Sequence, residues 1–188
     1  NGRGFYLHSP SATTVGDVNL YGVASYYNGL SGFYLKDTDG ITVQDCDAFH
    51  NKEYGIWVGG GIASKFIGGR TRDNTLGGFY SYDIQDVNIN GVECIRDSTN
   101  NAVIRGPDGG FAASATLTNC DFEFALPRSG AFTTRAANLR LKNLRHAILI
   151  SNRIGSKHTE SSTYAATAGT GVDTIYCASV KAGVNDYY

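Results

Sequence analysis

The chain is predicted to be all-β, a single-stranded right-handed parallel β-helix, and three observations predict it. First, Gly4-Phe5-Tyr6-Leu7 recurs as Gly32-Phe33-Tyr34-Leu35, Gly55-Ile56-Trp57-Val58 and Gly78-Phe79-Tyr80-Ser81, and more weakly as Ala102-Val103-Ile104-Arg105 and Gly130-Ala131-Phe132-Thr133. Second, each start is followed by an apolar segment with strand alternation: Val18-Asn19-Leu20, Ile41-Thr42-Val43, Ser64-Lys65-Phe66, Val87-Asn88-Ile89, Ala115-Thr116-Leu117 and Leu139-Arg140-Leu141. Third, Asn28, Asn51, Asn74 and Asp97 keep one place in the repeat. Coils of roughly 23 to 29 residues result, and with no helix-period pattern of useful length between them the strands can stack in parallel by winding as a solenoid.

Each element follows from side-chain chemistry. The first segment alternates, so Phe5, Phe33, Ile56, Phe79, Val103 and Ala131 are expected inward and the next residue outward. Past the second segment, Val23, Cys46, Gly69, Val92, Cys120 and Leu144 are small or apolar and are expected inside. Asn and Asp suit the corner because their side chains bond nearby backbone and tolerate left-handed dihedrals. Pro- and Gly-containing stretches at Ser9 to Thr14 and Gly106 to Gly110 read as loops. Coils are expected over 1–152. From 153 to 188 the period fades into a Ser/Thr-rich connection and one candidate strand, Thr174-Ile175-Tyr176-Cys177, read as a cap or a link to another domain.

Bulk composition narrows the partners. The 188 residues carry 41% hydrophobic side chains, enough for one domain, with 16 basic and 17 acidic groups and a net charge of -1. No field attracts nucleic acid, and no apolar run approaches the roughly 20 residues that span a bilayer. The strand-like opening without an initiator Met reads as a fragment or processed product. Cys46, Cys94, Cys120 and Cys177 match no zinc spacing; four buried thiols or one disulfide both stay open. His8, His146 and His158 form no metal constellation, Gly59-Gly60-Gly61 reads as a turn, and no cofactor is expected.

The repeat, carried by motifs such as Asn51-Lys52-Glu53-Tyr54-Gly55-Ile56-Trp57-Val58 over roughly residues 4 to 152, resembles that of the pectate-lyase-like proteins, including bacteriophage tailspikes and mannuronan epimerases. The resemblance implies a β-helix acting on polysaccharide, a parallel homotrimer in the full chain, and an extracellular or virion location. It does not extend to the epimerases' tyrosine, aspartate and histidine motif: Lys36-Asp37-Thr38-Asp39 and Tyr82-Asp83-Ile84-Gln85-Asp86 lack a following His-Glu pair.

Two outward columns are the candidate sites. Tyr6, Tyr34, Trp57, Tyr80, Ile104 and Phe132 form a stripe at coil spacing, about 4.8 Å, suited to sugar rings, to a subunit interface or to core packing. Ala24, Asp47, Arg70, Glu93, Asp121 and Arg145 form a charged column, and beside it run Tyr27, His50, Asp73 and Arg96. Solvated ion pairing is the plain reading of these charges. As an inverting hydrolase, Asp47 and Glu93, about 9.6 Å apart, would supply acid and base, with Asp73 expected between them. As a lyase or epimerase, His50 or Tyr27 would be the base and Arg70 or Arg72 would face a carboxylate. Arg72 and Arg96 join Tyr6, Tyr34, Trp57 and Tyr80 as candidate carbohydrate contacts. The favoured reading is a glycan-recognising fragment of a tailspike with depolymerase activity in the complete assembly; a uronate lyase or epimerase and a purely structural assembly module remain as alternatives.

Overall fold

A computed structural model describes residues 2–9, 15–97, 100–108, 113–123, 137–155, 172–175, 180–183 and 186–187. Its strands stack into three seven-stranded sheets, every pairing parallel, with three strands per coil. The first sheet runs through Phe5–His8, Phe33–Lys36, Tyr54–Gly59, Gly77–Tyr82, Asn100–Arg105, Ala137–Lys142 and Val172–Ile175. The second runs from Asn19–Tyr21 to Val180–Ala182 and contains five of the six alternating apolar segments, and the third contains three-residue strands such as Asp47–Phe49, Arg70–Arg72 and Glu93–Ile95. A two-stranded ribbon pairs Val15–Gly16 with Thr38–Asp39.

One continuous core fills the solenoid. Phe33, Ile56, Phe79, Ala102 and Leu139 are buried from the first sheet, Val43, Phe66, Ile89, Leu117 and Leu149 from the second, and Ala48, Cys94, Phe122 and Ile154 from the third. Cys46 and Cys120 are internal as the repeat predicts, and with Cys94 they are free buried thiols. Burial pushes the Cys120 thiol up to about 11, so it stays protonated and inert at neutral pH.

The Asn corner is a buried hydrogen-bonded ladder. Asn28 Nδ2 donates to Asn51 Oδ1, Asn51 Nδ2 to Asn74 Oδ1 and Asn74 Nδ2 to Asp97 Oδ1, each at 2.8 Å. The backbone N–H groups of Asn28, Asn51 and Asn74 donate to the same oxygens. The left-handed turn expected of the Asn residues belongs instead to their predecessors Tyr27, His50, Asp73 and Arg96, with φ from 53° to 56°. The Asn side chain is thereby turned inward to satisfy backbone that no neighbouring strand reaches. The same ladder explains the motif's glycine. A Cβ on Gly55 would lie 2.8 Å from Asn74 Nδ2 and 2.9 Å from the Gly78 carbonyl oxygen, a contact that must be relieved by displacing the rung.

Three register expectations are corrected. Phe79 pairs with Ala102 and Tyr80 with Val103, so Ile104 points inward and is fully buried while Val103 lies in the outward column. Asn101, not Ala102, occupies the motif's glycine position, and the repeat continues without the extra residue. Leu139 pairs with Ala102, so Leu139-Arg140-Leu141 belongs to the first sheet rather than the second. The proposed start at Gly130 to Thr133, including Ala131 and Phe132, lies outside the described residues. Consequently Asp121 is followed in its column by Arg153, and Arg145 sits in the turn before His146–Ile150. Strands also continue past residue 152: Arg153–Gly155, Val172–Ile175, Val180–Ala182 and Asp186–Tyr187 extend all three sheets. Sixteen residues between Gly155 and Val172 break the spacing on which the sequence period rests.

Candidate functional site

On the outer face of the first sheet, strand alternation presents two residues per coil. One column is Tyr6, Tyr34, Trp57, Tyr80, Val103 and Arg140; the other begins His8, Lys36, Gly59 and Tyr82. The aromatic rings stack on one another. Tyr34 and Trp57 lie 4.3 Å apart at 7°, Tyr6 and Tyr34 5.4 Å apart at 11°, and Trp57 and Tyr80 6.5 Å apart at 22°. Parallel β-pairing sets this geometry, because identical positions repeat at about 4.8 Å, near the stacking distance of rings. The platform expected from the sequence is therefore reoriented: the faces are largely used within the stack, which leaves the ring edges for a ligand. Arg3 lies 3.8 Å from the Tyr34 ring centroid, a cation over the stack.

Gly59 opens the second column. A Cβ there would come within 2.5 Å of the Trp57 indole, so the absent side chain lets the indole lean across the strand. The result is a groove of about 270 Å³ between Tyr34, Trp57 and Tyr82, edged by Lys36, Asp37 and Asp83. Tyr54 stacks on Tyr80 at 4.6 Å, and burial pushes its hydroxyl up to about 12, keeping it a neutral donor. Arg105 lies 4.7 Å over the Tyr82 ring and pairs with Asp108 at the other margin.

The third sheet carries the predicted charges but divides them. Asp47 and Arg70 pair at 3.1 Å, Glu93 stands on the next rung, and Asp121 pairs with Arg153. Asp47, Arg70, Glu93 and Asp121 line a separate cavity of about 460 Å³ with Asp45 and Asn119. Arg70 occupies the rung between Asp47 and Glu93, the order the column predicts, and Asp73 does not come between the two acids. Asp73 lies beyond the far end of its strand, bonded to Arg96 at 2.7 Å and Arg72 at 3.2 Å, and His50 stacks on Tyr27 at 5.0 Å. Arg72 and Arg96 thus belong to this third-sheet corner, not to the aromatic stack. Among the described residues, no three His, Cys, Asp or Glu side chains are placed to hold a metal.

The family model for the right-handed beta helix region matches residues 3–169. The chain belongs to that family. Among solved structures, this β-helix is similar to the Azotobacter vinelandii mannuronan C-5 epimerase AlgE6 A-module, with a TM-score of 0.45 and 14% identity. That match covers 100% of the β-helix and 61% of the epimerase module's length. No curated protein matches it.

The two faces of the β-helix differ in what they can do. On the third sheet Arg70 neutralises Asp47 and separates it from Glu93, and the hydrogen bond to Asp47 raises the Arg70 guanidinium further above its ordinary range. An acid and base acting across one bond need free space between them. The first-sheet groove instead combines an aromatic wall with polar margins, a composition suited to hydroxylated rings.

A further grouping on the first sheet carries no signal in a list of isolated histidines. The Tyr6 hydroxyl lies 2.9 Å from His8 Nδ1, and His8 Nε2 lies 3.3 Å from Asp37 Oδ2. Tyr6 and His8 are two apart on one strand and share its outer face, while His8 faces Lys36, the residue before Asp37, on the next coil. Matching strand parity with the coil register would have found the trio.

Proposed function

We propose that this β-helix recognises a polysaccharide lying along the outer face of its first sheet. The groove bounded by Tyr34, Trp57 and Tyr82 and edged by Lys36, Asp37 and Asp83 carries the reading. Aromatic edges supply apolar contact to sugar carbons, and the charged rim supplies hydrogen bonds to hydroxyls. Repetition at coil spacing suits a ligand that is itself a repeat.

Binding of neutral and uronate-containing polysaccharides, measured by affinity electrophoresis, is expected to weaken on Trp57→Ala and Tyr34→Ala. Truncating a central aromatic contact costs about 2 kcal/mol or more, some 30-fold. Unchanged binding in folded variants removes the groove from the account. A tailspike setting, with a virion-borne parallel homotrimer, goes with this reading as its assembly. Sedimentation of the full parent protein is expected to give a trimer, and a monomer refutes that setting.

A further inference from the structure

We propose that Tyr6, His8 and Asp37 form an acid–base centre that cleaves a uronate-bearing glycan by β-elimination, an inference that rests on the glycan reading above. The geometry is an oriented relay. Asp37 Oδ2 sits 3.3 Å from His8 Nε2, which favours the tautomer with the proton on that nitrogen. Nδ1 then carries the free lone pair and, at 2.9 Å, accepts the Tyr6 hydroxyl proton. Gly60 makes room for the carboxylate, since a Cβ there would stand 2.3 Å from Asp37 Oδ1.

Position and charge fix the reaction class. Tyr6 is 53% exposed and ends the aromatic stack, so its oxygen can reach a ligand lying along the groove. Arg3 stands 5.0 Å from the Tyr6 ring centroid, and Lys36 lies 3.8 Å from Asp37. These cations suit the carboxylate of a uronate, whose charge grows toward an enolate when the adjacent carbon loses its proton. The Tyr6 oxygen, its own proton passed to His8, takes the C5 proton. The electron pair of that C–H bond forms the C4–C5 double bond, the C4–O bond breaks, and the departing oxygen takes a proton from water while the imidazolium returns its proton to solvent. No oxidant or reductant is required. One relay serves one face of the sugar, which suits elimination better than inversion. Tyr6 and His8 would be catalytic residues and Asp37 a positioning residue.

The test incubates the intact chain with polygalacturonate, alginate and hyaluronan, following unsaturated ends by ultraviolet absorbance and binding by affinity electrophoresis. The wild-type chain is expected to generate unsaturated ends on at least one of the three. Tyr6→Phe, which keeps the stacked ring, is expected to bind equally and lose at least 100-fold in rate, within the range of general-base contributions. Asp37→Asn is expected to lower kcat by a larger factor than it raises KM, a split that loss of structure alone does not give. Binding without unsaturated ends overturns the acid–base centre and leaves the glycan reading standing, as does an undiminished rate in Tyr6→Phe. No binding to these or to neutral glycans overturns both.

Discussion

Asn51→Ala is expected to destabilise the β-helix by about 3–5 kcal/mol, more than any surface substitution. Asn51 is buried in the middle of the ladder. Its Oδ1 accepts from the backbone and side-chain nitrogens of Asn28, and its Nδ2 donates to Asn74 Oδ1 at 2.8 Å and to the Ser25 carbonyl at 3.3 Å. Truncation removes one residue but strands partners on two coils, and each buried group left unpaired costs about 1–3 kcal/mol. Urea unfolding followed by circular dichroism measures the loss. A cost below about 1 kcal/mol would mean that water replaces the rung and that the ladder does not hold the corner.

Asp97→Asn is expected to act in the opposite direction, and only above neutrality. Asp97 ends the ladder as a buried carboxyl: Oδ1 accepts from Asn74, and Oδ2 accepts from the Thr71 hydroxyl at 2.8 Å. Burial is the largest influence on it and pushes it up to about 7, with the Asn74 and Thr71 hydrogen bonds opposing. A folded-state value raised above the unfolded value means that the folded chain binds the proton more tightly. The stability this confers is fully present below about pH 4 and is lost as pH rises through about 7. Above pH 7 the wild type holds a buried charge that an amide of equal shape avoids, and the amide's nitrogen can donate to the Thr71 oxygen. The variant is therefore expected to unfold at higher temperature at pH 8, by an amount equivalent to a few kcal/mol, and at nearly the same temperature as wild type at pH 4. Calorimetry at both pH values measures it; a pH-independent difference would contradict the assignment of the charge to Asp97.

How much of this was legible in the sequence depended on what each residue's role required locally. Gly32, Gly55 and Gly78 announce the register because the ladder leaves no room for a side chain, and the aromatic that follows two places later marks the outward face. The signal failed at Asn101, where a polar side chain takes the glycine's place and shifted the expected outward residue from Val103 to Ile104. It failed again at Ala137–Lys142, because apolar alternation reads alike in the first and second sheets. The two charged columns were visible, yet their separation was not: Asp47 starts a third-sheet strand and Asp73 follows the end of one, a distinction that needs the strand limits. Tyr6, His8 and Asp37 were hidden because their proximity joins strand parity to a partner a coil away, and neither appears in a motif of adjacent residues.

The central claim is that polysaccharide occupies the first-sheet face rather than the third-sheet cavity. Covalent footprinting of the intact chain, with and without a saturating oligosaccharide of a polymer that it binds, tests this most directly. The account predicts protection of Tyr34, Trp57 and Tyr82 with Asp47, Glu93 and Asp121 unchanged; protection of those three acids with the aromatic residues unchanged would contradict it.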